Sequence, residues 1–178
     1  DGKECSNWGL QASSAALIDI LKKNRNVNIE TISHKKLHQK YSFDPYIFGK
    51  KLFNDQSRTH KFLSKNNLLI PTTADQYELY CDLWIRGNGG SFSKEILLKI
   101  EKSDCVFFNA EGSAYRKNFG ALAGLFLLYL SSFKFNKKAF FINGSFTISS
   151  VDNVLSGIAK KLYKNNIQFF VREPLSMK

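Results

Sequence analysis

The sequence predicts an α/β domain built on a mostly parallel sheet flanked by helices. Three short, continuously apolar runs carry that expectation, at residues 105–108, 139–142 and 167–171. Each has the length and residue types of a strand, and helix-period segments separate one from the next. Strands that are apolar throughout and alternate with helices belong to parallel sheets, whose crossovers cover both faces.

Taken in order, residues 6–23 predict a helix capped at Ser6 or Asn7. Leu10, Ala12, Ala15, Ala16, Leu17, Ile20 and Leu21 form its apolar face, and Lys22, Lys23 and Asn24 stop it. Val27, Ile29 and Ile32 alternate as a strand over residues 27–33. The pattern then weakens, and residues 34–71 read as short helices in an insertion or lid. A weak helix is expected over 72–86, and Gly87-Asn88-Gly89-Gly90 breaks it. Residues 92–102 are helical through Ile96, Leu97 and Ile100, ahead of the strand at 105–108.

The helix at 119–133 is apolar on all sides and too short for a comfortable membrane span. It reads as a helix packed on the sheet, with Gly120, Gly124 and paired serines allowing close approach. The second strand covers 138–143, a polar loop 145–150 and an amphipathic helix 151–163. The third strand, 167–171, ends at Arg172-Glu173-Pro174. The chain opens on a polar loop and a helix and stops just after a strand. That pattern predicts one lobe of a larger protein.

Length and composition fit a single domain with an ample core: 178 residues, 43% hydrophobic and 14% aromatic. The net charge of +11 raises the question of nucleic acid. The basic residues are dispersed, however, with no RNP signature, zinc-finger spacing or long basic arm, so nucleic acid is not the expected partner. A basic surface for anionic small molecules, or for peripheral contact with an anionic membrane, is the preferred reading. Abundant Lys with Asn, Ile and Phe also fits compositional bias. Cys5, Cys81 and Cys105 are odd in number and widely spaced, and Cys105 is expected to be a buried free thiol. This favours a reducing, cytoplasmic compartment. His34 and His38 lack an HExxH pattern or an acidic partner, so neither a metal nor another cofactor is expected.

The most informative stretch is Ser103-Asp-Cys-Val-Phe-Phe-Asn-Ala-Glu-Gly-Ser113. It runs from a strand into a polar turn and then a helix, the crossing at which open α/β sheets bind their ligands. Gly112 and Ser113 either bind a ligand or only turn the chain and cap the next helix. Glu111 requires partners, water or a ligand, because a carboxylate at the end of a buried strand is costly. Asn7 and Trp8 offer an amide and an aromatic face to a sugar or phosphate; the alternative is an N-cap beside a packed Trp. Asn109, Asn143 and Ser145 end strands on the side of Glu111. Arg172 ends the third, as a ligand contact or as half of a structural pair with Glu173.

Asn7-Trp-Gly-Leu-Gln-Ala12, Ser103-Asp104, Asn109-Ala-Glu-Gly-Ser113, Ala139-Phe-Phe-Ile-Asn143 and Val171-Arg-Glu-Pro-Leu-Ser176 together resemble the polysaccharide pyruvyl transferase family. The resemblance covers most of the chain outside 34–71. Glu111 stands where many members carry a glycine-rich turn. The resemblance implies a Rossmann-like N-terminal lobe of a two-lobed, glycosyltransferase-B-like architecture, with residues 172–178 beginning the interlobe linker. It implies pyruvyl transfer from phosphoenolpyruvate to a sugar hydroxyl in surface-polysaccharide synthesis, completed by a second lobe. The acceptor would be a saccharide, free or lipid-linked. By residue type, Glu111 is the local candidate to orient or deprotonate the hydroxyl; the alternative is that it caps backbone amides in the turn. Two other functions share the architecture: glycosyl transfer from a nucleotide sugar, and a sugar- or nucleotide-binding module without catalysis.

Overall fold

The computed structural model describes residues 8–24, 26–32, 70–87, 90–111, 119–145 and 153–172. The chain divides into two compact units, Asp1–Phe43 and Asp44–Lys178. In the first, helix α1 spans Trp8–Asn24, close to the expected bounds; its expected caps, Ser6 and Asn7, lie outside the described residues. Residues 26–32 have no regular structure, which corrects the strand expected there. Alternation alone does not make a strand. Val27, Ile29 and Ile32 need a neighbouring strand to satisfy the backbone between them, and among the described residues none pairs with it. The expected insertion falls almost wholly outside the described residues.

The second unit begins its described part with Ile70 and Pro71, both buried. Gln76 Oε1 accepts from the Thr72 amide at 2.9 Å and from Thr72 Oγ1 at 3.2 Å, which closes the turn ahead of a 3-10 segment at Ala74–Gln76. Helix α2 (Tyr77–Ile85) follows and buries Tyr77, Tyr80, Cys81 and Trp84. That i, i+3, i+4, i+7 spacing is one helix face, so the segment expected to be a weak helix is part of the core. Burial pushes the Cys81 thiol up to about 12. Gly87, at φ +85, turns the chain, and α3 (Gly90–Lys102) buries Ser93, Ile96 and Ile100.

Strands β1 (Cys105–Asn109), β2 (Lys138–Gly144) and β3 (Gln168–Val171) pair in that order, all parallel. Helices α4 (Phe119–Phe135) and α5 (Asn153–Lys164) make the two crossovers. The result is an α/β unit with a three-stranded parallel sheet and a Rossmann-like βαβαβ order. Both crossovers leave their helix through an asparagine in the left-handed region, Asn136 (φ 51) and Asn166 (φ 60). Asparagine tolerates that geometry better than most side chains.

Helix α4 explains its own composition. One side packs on β1 and β2, where Gly124 faces the Phe108 ring so closely that any Cβ there would collide with it. Its other side meets α2: Phe126 takes Trp84 edge-on at 5.2 Å and Tyr77 at 5.8 Å, while Tyr129 takes Tyr77 at 5.2 Å. A helix with protein on both sides has no polar face. Under it Phe108, Phe141 and Phe169 form a ring ladder across the sheet, at 5.8 Å and 5.2 Å between centroids.

The opposite face corrects an expectation. Neither the strand at 105–108 nor the one at 167–171 is buried on both sides, for Phe107 is 40% exposed and Phe170 57%. Phe107 stacks on Phe140 at 4.8 Å, and Phe140 lies 6.4 Å from Phe170. Strand alternation places Cys105 on this side too, so the thiol expected to be buried is only half-buried. No helix of the described residues is long and apolar enough to cross a membrane.

Candidate functional site

The site is built at the carboxyl edge of the sheet, where parallel strands deliver chain ends to one place. β1 ends at Asn109, opposite Ile142, and Ala110 extends the ladder by donating its amide to the Ile142 carbonyl at 3.0 Å. The chain then turns at Glu111, whose φ of 44 is unusual for a residue with a side chain.

β2 ends irregularly. Its register with β3 shifts between Ile142 and Gly144, and Asn143, between them, has φ 55. A regular strand would send Asn143 to the face opposite Ile142 and Asn109. The bulge and left-handed backbone turn it back. Asn143 Nδ2 donates to Asn109 Oδ1 at 3.3 Å, and Asn109 Nδ2 donates to Glu111 Oε1 at 3.2 Å. A relay of two carboxamides thus ends on a carboxylate.

Glu111 is only 7% exposed. Burial raises its pKa, opposed by the Asn109 hydrogen bond and by the positive charge of Arg172. Arg172 follows β3, with its amide donating to the Gly144 carbonyl at 3.1 Å and its side chain exposed. Two residues at positive φ within one hydrogen-bonded chain, one of them a desolvated acid, are features that accumulate at ligand sites. Chemically, the arrangement can hold a hydroxyl against the Glu111 carboxylate, with Arg172 supplying charge for an anionic group.

Of the residues expected here, Glu111, Asn109 and Asn143 are joined by hydrogen bonds. Arg172 lies close enough for its charge to act on Glu111. Ser145 follows β2 and is half-buried. Gly112, Ser113 and Asn7 lie outside the described residues, as does Glu173, the proposed structural partner of Arg172. Trp8 opens α1 in the first unit. The sequence reading missed Gly144, whose carbonyl anchors Arg172 and whose backbone packs against the Phe141 ring and Ala110. The Asn143-Gly144 dipeptide, a turn signal, was the available clue.

The described residues contain no group of His, Cys, Asp and Glu able to hold a metal ion. His34, His38 and His60 are outside them. No family model, curated protein or solved structure matches this chain.

Proposed function

We propose that this chain is the N-terminal lobe of a transferase that acts on a saccharide hydroxyl in surface-polysaccharide synthesis, with phosphoenolpyruvate as donor. The observation that carries the proposal is the Asn143–Asn109–Glu111 relay at the carboxyl edge of a parallel sheet. The motif resemblance supplies the donor; the relay supplies the chemistry.

Forming a pyruvate ketal joins two acceptor oxygens to C2 of the enolpyruvate and breaks its bond to the phosphate oxygen. One hydroxyl proton ends on the methylene carbon, which becomes a methyl group, and the other leaves with inorganic phosphate. A buried carboxylate of raised pKa suits removal of a hydroxyl proton, since a stronger proton affinity makes a better base. Asn109 donates to one carboxylate oxygen and so fixes the direction in which Glu111 faces an acceptor. Arg172 has the charge to face the donor's carboxylate or phosphate. The second lobe implied by the resemblance would close the cleft and exclude water.

Calorimetry on the complete gene product, with phosphoenolpyruvate and a panel of nucleotide sugars, tests the donor. Phosphoenolpyruvate binding that the Arg172→Ala variant weakens is expected. Binding of a nucleotide sugar alone would make this a glycosyltransferase lobe, and saccharide binding without any donor would make it a binding module.

A further inference from the structure

The edge of the sheet opposite the Glu111 site gathers lysines. Helices alternating with parallel strands run antiparallel to them, so helix C-termini and strand starts share one edge. Here α3 ends with Lys99 and Lys102, Lys137 lies between α4 and β2, Lys138 opens β2, and α5 ends with Lys160, Lys161 and Lys164. Hydrogen bonding of Ser132 Oγ to the Asn165 carbonyl at 2.9 Å joins the ends of α4 and α5. Strand pairing sets Lys138 beside Cys105, just after α3.

Part of this charge is spoken for. Lys161 pairs with Glu78 and Lys134 with Asp82, each at 2.7 Å, and Lys99 lies 3.6 Å from Glu95. Lys102, Lys137, Lys138, Lys160 and Lys164 pair with no carboxylate of the described residues. Glu101 and Asp104 lie on the same edge, and each helix C-terminus adds about half a negative charge. Those five lysines exceed that offset. Aromatic groups stand among them: Tyr163 is 75% exposed, on the same turn of α5 as Lys160 and Lys164, and Phe133 is exposed beneath the Lys134 ammonium.

We propose that this edge docks on an anionic lipid bilayer. Exposed aromatic rings among lysines, most of them unpaired among the described residues, suit the boundary between headgroups and acyl chains, where the ring enters and the ammonium stays with the phosphates. Among the described residues the lysines at this edge are spread over the ends of several elements rather than lined along one helix or strand that could enter a nucleic-acid groove. Because the edge is opposite the Glu111 site, a docked molecule keeps that site facing the water. The inference stands whatever the donor is.

Flotation of the full chain with vesicles of phosphatidylcholine, alone or mixed with phosphatidylglycerol, tests it. Binding to the mixed vesicles only is expected, weakening as salt rises. Lys160→Gln with Lys164→Gln should weaken it roughly fivefold for each lysine removed. Tyr163→Ala should also weaken it, whereas Lys94→Gln, near the start of α3, should leave it unchanged. All these side chains are exposed, so far-UV circular dichroism should match the wild type. Equal binding to neutral vesicles, absence of binding, or equal weakening by Lys94→Gln overturns the proposal. So does tighter binding to single-stranded oligonucleotide that depends on the same lysines.

Discussion

Asn143 reaches Asn109 because β2 loses register before its last residue. The two side chains meet at 3.3 Å although a regular ladder would place them on opposite faces of the sheet. The backbone at Asn143 is held in the left-handed region to make this contact, and Glu111, at the other end of the relay, is held likewise. A carboxamide pair that only braced the sheet could form from ordinary strand positions.

This relationship makes opposing demands separable at one position. Asn143→Gly relieves the backbone but loses the carboxamide; Asn143→Ala loses both the carboxamide and the tolerance for positive φ. We expect Asn143→Ala to cost about 1–2 kcal/mol in denaturant unfolding and Asn143→Gly about 1 kcal/mol less than that. Ligand binding at the site should fall equally in both, which a purely structural role for Asn143 would not produce.

Glu111 sets a pH dependence. Its folded pKa is raised, so the folded chain holds the proton more tightly than the unfolded chain does. The associated stability is fully present below the unfolded pKa and is lost as pH rises through the folded one. Glu111→Gln keeps an acceptor for Asn109 and does not ionise. The variant should therefore be the more stable protein at neutral pH, with the difference vanishing in acid. Denaturant melts across that range check it; a wild type more stable at neutral pH contradicts it.

Gly124 is a packing residue. Adding one methyl group there drives into the Phe108 ring, which lies between α4 and the sheet. Gly124→Ala should cost about 1–3 kcal/mol despite alanine's better helix propensity. Combining it with Phe108→Leu should recover part of the loss, a coupling that a double-mutant cycle measures.

Tyr77 is fully buried, and its hydroxyl has no hydrogen-bond partner among the described residues. Burial raises its pKa well above the ordinary tyrosine value, with the nearby Cys81 and Tyr129 adding to the effect. A bonded buried hydroxyl is worth about 1 kcal/mol, whereas an unbonded one is a desolvation cost. Tyr77→Phe should leave stability unchanged or raise it. Thermal unfolding of the variant reads this directly.

Much of the fold was legible because the apolar runs are short and separated by clear helices. The three strands and the helices at 90–102, 119–135 and 153–164 follow their sequence patterns closely. The strand expected at 27–33 failed because alternation reports which side chains could share a face, without supplying a pairing partner. Burial on both faces failed for a related reason: residues such as Phe107 and Phe170 satisfy the pattern of a covered strand while one side stays open. At the site, residue types alone pointed to Asn109, Glu111, Asn143 and Arg172. Their connection depends on a bulge, and the Asn-Gly dipeptide signals a turn without giving its hand or register.

In the proposed transferase the Asn143–Asn109–Glu111 relay receives donor and acceptor. The most direct measurement is a titration of the labelled complete gene product with phosphoenolpyruvate, following the side-chain amide resonances of Asn109 and Asn143, assigned through single substitutions. Saturable shifts at both amides, altered in Glu111→Gln and weakened in Arg172→Ala, are the predicted result. Saturable binding that leaves both amides unmoved would place the ligand elsewhere and rule out the relay as its site.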